Sequence, residues 1–126
     1  MINKIGQIMI YCTDQNGTKD FFLNQLGFQL VEEFEPAPGM KTIEIKANAA
    51  SETSFVLHDK AIIEKMNMGV NLGTPSVMFF ASDLDALYEK LKSAGVTVGD
   101  MVTMPTGRVF NFATPEGQYF AVCDKQ

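Results

Sequence analysis

Arginine is almost missing from this chain of 126 residues: Arg108 is the only one, and a total of 10 basic residues faces 15 acidic ones, for a net charge of −5. A nucleic-acid surface needs clustered positive charge against phosphate, so no nucleic-acid partner is expected. Histidine is reduced to His58, and the two cysteines, Cys12 and Cys123, show no CxxC or CxxH spacing. Both thiols therefore read as reduced, buried, small apolar residues rather than as a disulfide. Long apolar runs are lacking too, and Met1-Ile2-Asn3-Lys4 opens without the apolar stretch of a signal peptide. Those absences predict a soluble, cytoplasmic protein with no membrane partner.

What is present is ordinary globular material, 46% hydrophobic and 20% charged, which excludes a disordered chain. The length suits one domain burying roughly two thirds of its unfolded surface. The clearest local signal lies near the C-terminus, where Gly107–Ala113 and Gln118–Asp124, rich in aromatic and β-branched residues, flank Thr114-Pro115-Glu116-Gly117. Proline presets one backbone angle there and glycine permits positive φ, so a β-hairpin is predicted.

Taken in order, Ile5–Cys12 alternates as a strand, Asp14–Thr18 offers capping side chains, and Thr18–Leu26 reads as a helix burying Phe22 and Leu26 before Gly27. Strands are predicted over Phe28–Phe34, Met40–Ala47 and Ser54–Asp59. From Lys60 to Gly73 no period is sustained, and the segment reads as a linker. Then come a strand over Ser76–Ala81, a helix capped by Asp83 with Leu84, Leu87, Tyr88 and Leu91 on one stripe, and strands over Val96–Met104, Gly107–Ala113 and Gln118–Asp124. The order strand, helix, strand, strand, strand thus occurs twice, and Phe55-Val56-Leu57-His58-Asp59-Lys60 is echoed by Phe120-Ala121-Val122-Cys123-Asp124-Lys125. Such repetition implies two similar units: unit one over about 1–60, a linker over 61–73 and unit two over about 74–126 of a single domain.

Three segments carry a resemblance to a known family: Lys19–Phe28 after the first strand, Ala81–Leu87 entering the second long helix, and Thr114–Gln118 before the last strand. In this order, on a duplicated pattern, the chain resembles the vicinal oxygen chelate superfamily of glyoxalases, dioxygenases and bleomycin-resistance proteins. The resemblance implies an α+β fold of two tandem βαβββ units, each sheet curled into a half-cup with its helix outside. It also implies metal-ligand positions which, carried onto this chain, are Gln7, Val56, Ser76 and Ala121. A catalytic metal needs about three N, O or S donors, and Val56 and Ala121 supply none. The resemblance then points to the metal-free, bleomycin-resistance-like branch, with no cofactor. An improvised metal site from His58, Cys123 and Glu44 is the alternative, although a lone histidine at a strand end and a glutamate between Ile43 and Ile45 are equally ordinary side chains.

Alternation along the strands assigns Gln7, Met9, Tyr11, Val56, His58, Ser76, Met78, Phe80, Phe110, Phe112, Tyr119, Ala121 and Cys123 to the cup, with Arg108 near the start of its strand. Ile8, Ile10, Phe55, Leu57, Val77, Phe79, Val109, Phe120 and Val122 go to the helix side. The candidate ligand-binding residues are Gln7, Met9, Tyr11, His58, Met78, Phe80, Arg108, Phe110, Phe112, Tyr119 and Cys123, an apolar and aromatic lining with polar tips; the same residue types also fill ordinary cores. Arg108 is expected either to hold a polar ligand group or to pair with a surface acid. The expected function is sequestration of a small, partly aromatic molecule, cationic if it carries charge, by a homodimer. The alternative is a metal-dependent glyoxalase-like lyase, isomerase or dioxygenase.

Overall fold

A computed structural model describes residues 1–124; Lys125, the last position of the sequence echo, lies outside the described residues. The chain divides into two compact units, residues 1–73 and 74–126.

Unit 1 contains β1 (Gln7–Cys12), α1 (Gln15–Asn24), β2 (Gln29–Phe34), β3 (Thr42–Lys46), β4 (Ser54–Asp59) and α2 (Lys60–Met66). Its sheet runs β1-β4-β3-β2, with β1 parallel to β4 and the other pairs antiparallel. Helix α1 begins at Gln15 rather than Thr18, because the Asp14 carboxylate accepts the Gly17 N–H at 3.0 Å and starts the helix a turn early. The buried Phe22 ring meets Phe28 at 5.0 Å and Phe55 at 5.8 Å, and this cluster joins α1 to β4. Part of the expected linker is helical. Asp59 caps α2 by accepting the Ala61 N–H at 3.0 Å, and Ile63 is its one buried side chain. Two turns are too short to show a period in the sequence.

Unit 2 contains β5 (Met78–Phe80), α3 (Leu84–Ser93), β6 (Val102–Met104), β7 (Gly107–Ala113) and β8 (Tyr119–Cys123), in the sheet order β5-β8-β7-β6. Asp83 caps α3 as the sequence predicts, accepting the Ala86 N–H at 3.1 Å. The expected strand Val96–Met104 is interrupted: Val98 bridges Phe112 and the Gly99 N–H reaches the Asn111 carbonyl at 2.8 Å, but pairing resumes only at Val102. Glycine and aspartate at 99 and 100 are poor strand residues. The hairpin turn closes through the Gly117 N–H on the Thr114 carbonyl, 2.9 Å, and the Thr114 N–H on the Gln118 carbonyl, 2.8 Å.

Register corrects the side assignment of β7. Phe110 faces Val122 and Phe112 faces Phe120 across the ladder, and Tyr88 of α3 meets the Phe110 ring edge-on at 4.9 Å. Phe110 and Phe112, each 1% exposed, therefore belong to the helix-side core with Phe79 and Phe120, not to the open face. Because side chains alternate, Arg108 shares that side, and Val109, expected beside the helix, faces the other way with Cys123. The Arg108 guanidinium makes paired bonds to Asp85 of α3 at 3.0 and 3.1 Å and a third to Asp124 at 3.2 Å. The surface-acid expectation for Arg108 is the one observed. The Arg108 backbone N–H and guanidinium hold the Asp124 carboxyl below the usual carboxylate range.

Candidate functional site

Each sheet has a face turned away from its helix, and these two open faces hold the remaining candidate residues. On unit 1, the ladder sets Met9, Val56, Glu44 and Glu32 in one row across β1, β4, β3 and β2, with Tyr11, His58, Thr42 and Phe34 in the next. Gln7 lies opposite Ser54 at the end of β1. The strand parity is confirmed from the other side, where Glu33 reaches Lys19 of α1 at 2.8 Å.

His58 is half-buried among Met9 and Tyr11. Its Nε2 lies 3.2 Å from Met9 Sδ, its ring stacks on Tyr11 at 5.7 Å, and Nδ1 is buried without a hydrogen-bond partner among the described residues. Burial pushes the His58 pKa below its ordinary value. The unfolded chain therefore binds a proton at higher pH than the folded one. Stability is unaffected by His58 well above its unfolded value of about 6.5, falls as pH drops from there towards the folded pKa, and levels off below it. Urea midpoints measured at pH 7.5 and 5.5 are expected to separate less for His58→Gln than for the wild type; equal separations would contradict this environment for the ring.

Sequence reasoning left Glu44 between two readings, and the register places it on the open face. Ser54 Oγ and Gln7 Nε2 both donate to Glu44 Oε2, the second over 3.3 Å. Glu32 stands directly opposite on β2. Among the described residues no lysine or arginine pairs with either carboxylate. Like charges directly opposed destabilise a sheet by about 0.2–1 kcal/mol, and neither carboxylate has an ion pair among the described residues to offset this. Only cross-strand pairing, which a single strand's alternation does not reveal, sets Glu44 opposite Glu32 and beside Gln7 and Ser54.

On unit 2, the open face sets Met78, Ala121 and Asn111 in one row and Phe80, Cys123, Val109 and Val102 in another, with Tyr119 opposite Ala113. Met78, Phe80 and Tyr119 are 51%, 57% and 59% exposed, whereas Cys123 is buried. A hollow of about 210 Å³ opens here, lined by Ser76, Val77, Asn111, Tyr119, Phe120 and Ala121. Asn111 is absent from the sequence-derived lining and Val109 is assigned there to the helix side, because alternation within β7 fixes which residues share a face but not which face that is.

The residues at the implied metal positions do not fit a metal centre. Val56 and Ala121 offer no donor atom, the Gln7 amide is turned onto Glu44, and among the described residues no three His, Cys, Asp or Glu side chains converge.

The sequence model of the Glyoxalase/Bleomycin resistance protein/Dioxygenase superfamily matches residues 4–122. The YetH protein of Bacillus subtilis (strain 168), itself uncharacterised, is 29% identical over 121 residues, covering 95% of this chain and 97% of YetH. Among solved structures, TnmS3, an antibiotic binding protein from Streptomyces sp. CB03234, superposes with a TM-score of 0.80 at 24% identity, over 99% of this chain and 98% of that one. A superfamily member from Sphaerobacter thermophilus DSM 20745 gives a TM-score of 0.81 at 25% identity over 97% of both chains. These likenesses fit the α+β fold described above.

Proposed function

The chain belongs to the Glyoxalase/Bleomycin resistance protein/Dioxygenase superfamily, and on that footing we propose that it captures a small organic molecule on its open sheet faces without transforming it. The observation that carries this reading is the lining itself. Met9, Tyr11 and His58 on one face and Met78, Phe80 and Tyr119 on the other offer flat and polarizable contact surface. A trio of metal donors is lacking among the described residues. His58, the one side chain that ordinarily titrates near neutrality, points its Nε2 at a thioether rather than at a nucleophile. The antibiotic-binding description of TnmS3 supports the same reading.

The ligand is partly aromatic, and any charge on it is positive, matching the net charge of −5 and the unpaired Glu32 and Glu44. On unit 1 the contact residues are Gln7, Met9, Tyr11 and His58; on unit 2 they are Met78, Phe80 and Tyr119, with buried Cys123 beneath them. Both units serve one binding domain, which works as a cytoplasmic homodimer.

A thermal-shift panel of flat cationic antibiotics and aromatic metabolites tests the proposal. A true ligand at 100 times its Kd is expected to add about 2.7 kcal/mol of stability, increasing with concentration. Glu44→Gln is expected to weaken a cationic ligand about tenfold, or ~1.4 kcal/mol, and to leave a neutral one unchanged. Silence across the panel would overturn the proposal. So would stoichiometric Zn, Ni, Mn or Fe retained by protein purified without chelator, a result that would favour a metal-dependent enzyme instead.

A further inference from the structure

Building on the binding reading above, we propose that the hollow on the open face of unit 2 is a selectivity subsite for an uncharged, ring-sized group that both donates and accepts hydrogen bonds, a cyclic amide being the simplest example. Its volume, about 210 Å³, equals that of about seven waters at ~30 Å³ each, which is the scale of a ring rather than of an ion or a whole drug. The space follows from Ala121. This residue stands between Met78 and Asn111 in one cross-strand row, and its methyl group leaves the middle of the row low while longer neighbours flank it.

The chemistry of the wall is specific. Asn111 brings an amide and Ser76 a hydroxyl, each able to donate and to accept, and both are exposed. Neither side chain is hydrogen-bonded to another described residue. The Tyr119 ring, also exposed, supplies a flat apolar side against which a ring can stack. No carboxylate, ammonium or guanidinium lines the hollow, so an ionic group seated there would lose hydration with no counter-charge in return. A purely apolar ring would leave the Asn111 and Ser76 groups covered without partners, which is how a polar site rejects an analogue lacking the matching groups. The unit 2 hollow is thus matched to a neutral polar ring.

Three probes of matched shape separate these claims: 2-quinolone, with an N–H donor beside a carbonyl; naphthalene, with neither; and quinoline-2-carboxylate, an anion. Ligand-observed NMR titration of the full chain is expected to show 2-quinolone binding at least tenfold more tightly than the other two. Ala121→Leu, which fills the hollow from the open face, is expected to cost tenfold or more. Asn111→Leu, at an exposed position and so without a folding penalty, is expected to erase the preference for 2-quinolone over naphthalene. A wild type that fails to bind 2-quinolone at millimolar concentration, or that prefers the carboxylate, overturns the subsite. Unchanged binding to both variants overturns it as well. A panel ligand that stabilises the wild type and Ala121→Leu equally would sink the subsite yet leave the capture function standing, so the two failures are distinguishable.

Discussion

Phe112→Ala is expected to remove about 3–5 kcal/mol of stability from unit 2, measured as a drop in the urea midpoint, because it empties a fully buried ring site. The ring is 1% exposed and packs against Phe79 at 6.3 Å and Phe120 at 6.1 Å. Tyr119→Ala, on the neighbouring strand but 59% exposed, is expected to stay within about 0.5 kcal/mol of the wild type while weakening the captured ligand. The contrast matters more than either number. Were Phe112 part of a ligand-lined face, the two substitutions would behave alike, with small losses of stability and shared losses of binding.

Gly107→Ala is the second large effect, expected at about 2–3 kcal/mol. Gly107 has φ +136°, a region that an L-residue occupies only under strain of order 1–3 kcal/mol. An added Cβ there would also press within 2.5 Å of Asp124 Oδ1 and 3.2 Å of Cys123 Sγ. That carboxylate cannot simply swing aside, because it accepts the Arg108 backbone N–H at 2.9 Å and the guanidinium at 3.2 Å. Gly117→Ala provides the control. Its φ is also positive, at +85°, but nothing lies within 4 Å of the added methyl, so only the conformational cost of about 1–2 kcal/mol applies. Equal losses at the two glycines would show that the Asp124 contact contributes nothing.

Much of the fold could be read from local chemistry. Strands β4 and β7 run over the residues their alternation predicts, and Asp83 caps α3 because a carboxylate before an apolar stripe satisfies the first free N–H groups. What local chemistry missed has identifiable causes. Several side chains between Asp14 and Thr18 could cap α1, and it is Asp14 that does so, accepting the Gly17 N–H. Helix α2 buries only Ile63, too little to leave a pattern. Alternation alone puts Phe110 and Phe112 on one face of β7 without saying which face that is. Their orientation depends on pairing with Val122 and Phe120, and pairing is a property of two strands. The same holds for the site: Met9, Tyr11, Met78, Phe80 and Tyr119 lie on open faces as alternation predicts. Glu44 and Asn111, by contrast, gained their meaning only from neighbours distant in sequence.

The strand order has a consequence for how this chain comes into being. In each sheet the last strand to be synthesised, β4 or β8, is an interior one, wedged between the first strand and the third. In a nascent unit β2 and β3, or β6 and β7, can pair as they emerge, but β1 or β5 has no partner in its sheet until the final strand leaves the ribosome. Non-local closure of this kind slows folding and leaves β1 and β5 vulnerable to foreign partners during translation, so the rate at which the ribosome delivers those two late strands sets how long each half stays at risk.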